Sequence, residues 1–276
     1  MNNPTSPYSK QLQLSTFTSK CSQNEVQKTA IKIHHRLATT ISQVGSQVWL
    51  GSLLLLDYLY HIKADIRHST VLEIGAGTGL CSIYSSKLGA RLVYCTDIRQ
   101  GMDQFSLLDL IRLNVEDNNC SSNVLILELD LTDETHLVYS LLAEVELDSY
   151  NLPSDNLAEI SISYIIAADI IYDDYLTFHF IRRLPSLLSD SVCNSTNIKG
   201  RKLILALERR INFTIKDMAP VAHARNFMLT TLEALNADRA DEGLAEIKHE
   251  RIDLQTFPQV FEYERNEYLE LYCFSM

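Results

Sequence analysis

The chain has no long hydrophobic run. Apolar stretches such as Leu53–Leu56 fall far short of the roughly 20 residues that a membrane span needs, so no membrane-spanning helix is expected. The polar N-terminus lacks the apolar segment of a secretory signal, and the expectation is a soluble, intracellular protein. Positive charge is also in deficit: 24 Lys and Arg against 35 Asp and Glu leave a formal net charge of −11 over 276 residues. Direct nucleic-acid binding is thereby disfavoured, because it rests on clustered Lys and Arg. Long-range attraction instead favours a basic protein partner, although the same charge also serves plain solubility. Six cysteines (Cys21, Cys81, Cys95, Cys120, Cys193, Cys273) include no CxxC pair and no Cys/His cluster at zinc spacing. No metal site is expected, and the thiols are read as buried groups of a reducing compartment.

From Gln47 to Tyr60, apolar residues recur at helical spacing (Val48, Leu50, Leu53, Leu54, Leu56, Leu59), which predicts an amphipathic helix packed on the domain that follows. Strand-like and helix-like segments then alternate. Strands are expected at Thr70–Gly75, Leu92–Ile98, Val124–Asp130, Tyr164–Ile171 and Lys202–Glu208. Helices are expected near Gly79–Leu88, Met102–Asn114, Asp174–Leu188 and Asp217–Leu235. That order predicts an α/β fold of parallel strands with helices on both faces. Two late segments, Ile247–Leu254 and Tyr268–Phe274, read as an antiparallel pair. Residues 1–44, rich in Ser, Thr, Gln and Asn, are read as a partly ordered extension in which Lys28–Arg36 is open between strand and short helix. Surface insertions are expected at 132–160, which holds the turn-forming cluster Asn151–Asp155, and at 189–200.

Glycine is scarce, with nine residues in all, yet three fall at alternate positions in Glu73-Ile74-Gly75-Ala76-Gly77-Thr78-Gly79. An apolar strand runs into this turn and a helix leaves it. Glycine suits positive φ and the close approach of a ligand. The following helix N-terminus offers free N–H groups and a positive dipole to an anionic group, and the ligand is expected outside the carboxyl ends of the strands. Leu80 stands where a dinucleotide fingerprint requires its third glycine, which counts against an NAD-dependent oxidoreductase. Glu73 before the turn suits the ammonium of S-adenosylmethionine better than a pyrophosphate. Asp97, closing the second strand, is able to accept both ribose hydroxyls. The residues point to S-adenosylmethionine as cofactor, held by Glu73, Gly75, Ala76, Gly77, Thr78, Gly79 and Asp97.

Together with Gln47-Val48-Trp49, Val93–Ile98, Ala168-Asp169-Ile170-Ile171-Tyr172 and Glu208–Thr214, these residues resemble the family 16 seven-β-strand protein methyltransferases. The glycine loop is shared by class I methyltransferases at large, whereas the Trp and Asp-x-x-Tyr elements narrow the likeness, which runs from about residue 44 to 235. The resemblance implies a Rossmann-like class I domain over residues 45–276: a twisted, mostly parallel seven-stranded sheet with helices on both faces and its last strand antiparallel. It implies methylation of a lysine on a non-histone protein, in the nucleus or cytoplasm, by a monomer. A basic or nucleic-acid-associated substrate fits the acidic composition. By resemblance Trp49 lies near the methionine end of the cofactor, and Ile98, Asp130, Leu131 and Ala168 join the cofactor-binding set. Asp169 and Tyr172 become the catalytic residues, at the end of the fourth strand where the lysine enters. The chain departs from the family after the third strand, where Leu129-Asp130-Leu131 offers an apolar face in place of a Trp.

Methyl transfer from a sulfonium is an in-line displacement whose electronics belong to the cofactor; the protein aligns the groups and excludes water. A lysine must first shed its proton, from an ordinary pKa of about 10.4. Desolvation and a neighbouring positive charge both lower that value, so no strong base is required. Asp169 is suited to hold the ammonium, and Tyr172 to orient the amine with its ring face or hydroxyl. The bland alternatives are a helix N-cap for Asp169 and a core aromatic for Tyr172. Asp173 and Asp174 are read as favourable charges at a helix start. Arg209, Arg210, Asn212 and Phe213 follow the fifth strand and are expected to shape the substrate entrance. A catalytically weak module that uses the fold to hold a partner stays open as an alternative. A base amino-methyltransferase is disfavoured, since residues 169–172 contain no proline.

Overall fold

A computed structural model describes residues 12–20, 28–102, 105–133, 162–189, 200–214 and 219–276. The described residues begin with a hairpin of β1 (Gln13–Thr18) and β2 (Ala30–His35). A 3-10 turn at Ile41–Ser46 leads into α1 (Leu50–His61) and the short α2 (Lys63–Ile66). Then come β3 (Thr70–Ile74), α3 (Leu80–Lys87), β4 (Leu92–Asp97), the small hairpin of β5 (Gly101–Met102) and β6 (Phe105–Ser106), α4 (Leu107–Asp117) and β7 (Val124–Glu128). The second half holds β8 (Tyr164–Ala168), α5 (Asp174–Leu188), β9 (Lys202–Glu208), β10 (Asn212–Thr214) paired with β11 (Ala219–Val221), α6 (His223–Asp241), β12 (Lys248–Arg251) and β13 (Leu269–Ser275).

One seven-stranded sheet has the order β12-β13-β9-β8-β3-β4-β7. Strands β9, β8, β3, β4 and β7 run parallel. The last strand, β13, is antiparallel to both of its neighbours, β9 and β12. From β3 the chain steps outward through β4 to β7, then returns to β8 on the other side of β3. Such a reversal opens a crevice at the carboxyl ends of the strands, where open α/β sheets bind ligands.

Central strands read as near-continuous apolar runs because both sheet faces are covered. Val71, Val93 and Ile204 join the core shared with α1 and α3, while Leu72, Tyr94 and Leu205 join the core shared with α5 and α6. Burying each such side chain contributes about 1.5–3 kcal/mol. Among the described residues, no helix is long and apolar enough to cross a membrane.

Helix α1 departs from the expected amphipathic pattern. Leu53, Leu54, Leu55, Leu56 and Leu59 are all buried, and so is Asp57. The Asp57 carboxylate accepts from the N–H groups of Val260 (2.7 Å) and Phe261 (3.0 Å), the Tyr263 hydroxyl (2.7 Å) and the Arg265 guanidinium (2.6 Å). Residues 257–265 thereby cover the face that an amphipathic helix leaves to solvent. The helix also begins three residues later than expected, with Trp49 extended at its N-cap.

Within Lys28–Arg36, Ala30–His35 forms a strand, and its Ile31 and Ile33 are fully buried in the main core, so part of the region before residue 44 packs into the domain. Helix α4 starts at Leu107 because Ser106 and Asp109 form a capping box. Helix α6 starts at His223, after a hairpin that contains Pro220, since the residue before a proline disfavours helix. All but the ends of the expected insertions, 132–160 and 189–200, lie outside the described residues.

Candidate active site

The carboxyl ends of β3, β4 and β8, with the loop after β7, open onto one cavity. It is lined by Trp49, Gly75, Ala76, Gly77, Thr78, Asp97, Ile98, Asp130, Leu131, Ala168, Asp169 and Tyr172. Of the expected site residues, Glu73 and Gly79 do not line it.

At Gly77 (φ 57°) the glycine loop presses against the segment that precedes α1: a Cβ there would sit 2.8 Å from the Gly45 carbonyl oxygen. What requires this glycine is the chain's own backbone. The Gly77 N–H donates to Asp97 Oδ2 and the Ile98 N–H to Asp97 Oδ1, both at 2.7 Å. Each carboxylate oxygen keeps a further acceptor position. Burial pushes the Asp97 carboxyl up to about 6, against the pull of these two donors.

Glu73 points elsewhere. Its side chain is 2% exposed and accepts from both the N–H and the hydroxyl of Ser82, in the first turn of α3. A carboxylate from β3 therefore satisfies the positive helix terminus that was expected to serve a ligand. Burial pushes Glu73 up to about 7, while the Ser82 bonds oppose the rise. A strand-end carboxylate reads the same in sequence whether it faces the crevice or the neighbouring helix.

Asp169 follows β8 in the left-handed region, with φ 55°. Its Oδ2 accepts from the Gly51 N–H (2.6 Å) and its Oδ1 from the Glu208 N–H (2.9 Å). The carboxylate thus ties the start of α1 to the end of β9. The helix N-cap role belongs to Asp173, which accepts from the Leu176 N–H at 2.9 Å. Burial pushes the Asp169 carboxyl up to about 6, against the Glu208 and Gly51 donors and the Arg210 charge. Tyr172 is 40% exposed at the cavity rim. Burial raises its hydroxyl pKa, with the Asp97 and Asp173 charges adding to the rise, so it stays protonated at neutral pH.

Arg209 and Arg210, expected together at the entrance, are separated. Arg210 lines the cavity, and its guanidinium carbon lies 4.6 Å from the centroid of the Trp49 ring. Arg209 turns to the fully buried Glu270, which also pairs with Arg225 and Arg251. The side chains of Asn212 and Phe213 lie outside the described residues. Sequence reasoning missed Gly45 and Ser52 as lining residues, and also Leu129, Leu176 and Phe180. Leu176 and Phe180 carried a signal, since their i, i+4 spacing puts them on one face of α5. With Leu131 they give the cavity an apolar lining.

A mostly parallel seven-stranded sheet with one reversed strand and a glycine loop at its switch point is the fold of the S-adenosylmethionine-dependent methyltransferases. The chain belongs to the lysine methyltransferase family, whose model matches residues 25–213. It is similar to methyltransferase-like protein 22 of Homo sapiens, 33% identical over 255 residues, covering 88% of this chain and 56% of that protein. The counterpart from Mus musculus is 32% identical over 255 residues, covering 88% and 58%. Protein-lysine methyltransferase METTL21E of Bos taurus is 32% identical over 176 residues, covering 61% of this chain and 50% of that one. The chain therefore spans only 56% and 58% of the length of the first two relatives. Among solved structures, the O-methyltransferase from Bacillus cereus in complex with SAH aligns with a TM-score of 0.45 at 12% identity, covering 87% of this chain and 93% of that one.

Proposed function

We propose that this chain transfers a methyl group from S-adenosylmethionine to the ε-amino group of a lysine in a non-histone protein substrate. The observation that carries this reading is the convergence, in one cavity at the switch point of the sheet, of the glycine loop and Asp97 with Trp49, Asp169, Tyr172 and Arg210.

The residues present fit the cofactor. Asp97 has acceptor positions left for ribose hydroxyls, and Leu131, Leu176 and Phe180 offer apolar contact to a base ring. Backbone from Gly75 to Thr78 lines the same space. When bound, S-adenosylmethionine supplies an electrophilic methyl group on a sulfonium. The chain's part is to align the acceptor and exclude water. Tyr172, protonated at neutral pH, presents a ring face and a hydroxyl to the incoming amine rather than a base. A lysine amine titrates near pH 10.4 in water, and desolvation in the cavity lowers that value. An acidic chain fits a basic protein substrate.

The test is calorimetric titration with S-adenosylmethionine, followed by labelled-methyl transfer into a cell extract and mass spectrometry of the modified band. Binding together with a methylated lysine supports the reading. Absence of binding sinks it and leaves a module that uses the fold to hold a partner.

A further inference from the structure

We infer that Asp169 is a positioning residue: its carboxylate sets the stack of Arg210 on Trp49 that lines the acceptor end of the cavity. The inference rests on the methyl-transfer reading of that cavity.

Both oxygens of Asp169 are committed to backbone donors from two different elements. Gly51, bonded at 2.6 Å, stands two residues after Trp49 at the start of α1. Glu208, bonded at 2.9 Å, ends β9 two residues before Arg210. A third bond, from the Asp169 N–H to the Ala206 carbonyl at 2.9 Å, seats the residue on β9. Trp49 is also fixed by its indole N–H, which donates to the Val44 carbonyl at 3.0 Å. The Trp49 ring and the Arg210 guanidinium meet at 4.6 Å. They come from elements that are far apart in sequence, and the Asp169 carboxylate bridges those elements two residues from each member of the stack.

Two further features mark the bridge as built. Asp169 is a non-glycine residue in the left-handed region (φ 55°), a conformation that persists where surroundings over-determine it. Position 51 is glycine, and a Cβ there would collide with the Asp169 carboxylate. Each Asp169 oxygen keeps a further acceptor position, as in Asp97, but the two bonds the carboxylate makes already tie down the backbone beside both members of the stack. Its influence on the acceptor runs through the aromatic face and the cation that it holds in place.

Trp49 is the single tryptophan of the chain, beside 13 tyrosines, so fluorescence excited at wavelengths that tyrosine does not absorb reads this wall alone. The experiment uses the full chain without cofactor and compares acrylamide quenching of Trp49 in wild type, Asp169→Ala, Arg210→Gln and the double variant. Asp169→Ala and Arg210→Gln are each expected to raise the quenching constant about two-fold. The double variant should rise no further than either single one, because residues acting through one contact are not additive. Asp169→Asn, which keeps one acceptor and loses the other, should fall between wild type and Asp169→Ala, and it carries the test if Asp169→Ala fails to fold by circular dichroism. Wild-type quenching in a folded Asp169 variant, or a double variant equal to the sum of the singles, overturns the inference. Failure of wild-type chain to bind S-adenosylmethionine in calorimetry sinks the reading of the cavity instead, and that outcome is separate from the fluorescence result.

Discussion

The side-chain amide of Asn114, fully buried in α4, donates to the Thr78 carbonyl of the glycine loop at 2.9 Å and to the His34 carbonyl of β2 at 3.0 Å. Its oxygen accepts from the His34 N–H at 2.7 Å. One residue thereby joins the N-terminal hairpin to the loop that floors the site. Asn114→Leu keeps the γ-branched shape with bulkier tips and strips three backbone groups of their partner, at about 1–3 kcal/mol for each group left unsatisfied. The expected outcome is a loss of about 3 kcal/mol in urea denaturation, a total discounted for partial rescue by water, with weaker S-adenosylmethionine binding in calorimetry. A variant as stable as wild type would show that the loop does not depend on this link.

Gly77→Ala adds a single methyl group where φ is 57° and the Gly45 carbonyl oxygen is 2.8 Å away. The left-handed backbone alone costs roughly 1–2 kcal/mol for a residue with a Cβ. Relief of the contact requires the loop or the preceding turn to shift into the cavity wall. Asp97→Ala removes the acceptor for the Gly77 and Ile98 N–H groups together. Both variants, and Gly77→Arg, are expected to lose cofactor binding in calorimetry while keeping the wild-type circular dichroism spectrum. Binding at wild-type affinity in Asp97→Ala would relocate the cofactor.

Glu73 makes stability depend on pH. Its carboxyl is raised from 4.5 to about 7 by burial, so the native state binds this proton more tightly than the unfolded chain does. Stability from this group is fully present below about pH 4.5 and is lost as pH rises through about 7. At about 1.4 kcal/mol per tenfold difference in proton affinity, the loss is roughly 3 kcal/mol. Glu73→Gln removes the titration and retains an acceptor for Ser82. Urea midpoints measured from pH 4.5 to 8 are expected to fall less steeply in the variant, and the difference isolates Glu73 from Asp97 and Asp169, which shift in the same direction. Parallel profiles would refute it.

The alternation of strands and helices was legible because each central strand is a separate apolar run and the GxGxG turn is local. What depended on distant pairing was not. Asp57 finds its partners about 200 positions away, in a segment without regular period, so its burial left no mark in the sequence of α1. Glu73, next to last in β3, and Asp97, last in β4, carry the same chemistry on adjacent strands, yet one bonds the first turn of a helix and the other faces the cavity. Asp169 meets Gly51 and Glu208 across 118 and 39 positions. A resemblance was able to select Asp169 as important, but only its two hydrogen bonds reveal what the carboxylate holds.

Arg209 and Arg210 are neighbours in sequence with opposite expected behaviour. Glu270 is fully buried and lies 3.2 Å from Arg209, 3.3 Å from Arg225 and 3.5 Å from Arg251, and it accepts from the Tyr272 hydroxyl at 2.8 Å. Removing the sole partner of a buried charge costs about 3–5 kcal/mol. Because two arginines remain beside Glu270, Arg209→Gln is expected to cost less, about 1–2 kcal/mol, within the usual range for a weakened buried network. It should leave methyl transfer per folded molecule unchanged. Arg210 is exposed and stacks on Trp49, so Arg210→Gln should stay within about 0.5 kcal/mol of wild-type stability. Its effect should appear as several-fold lower labelled-methyl transfer into the extract band. Urea denaturation and transfer assays on the two variants check both halves. Equal destabilisation, or a transfer defect confined to Arg209→Gln, would reverse the assignment of the two arginines.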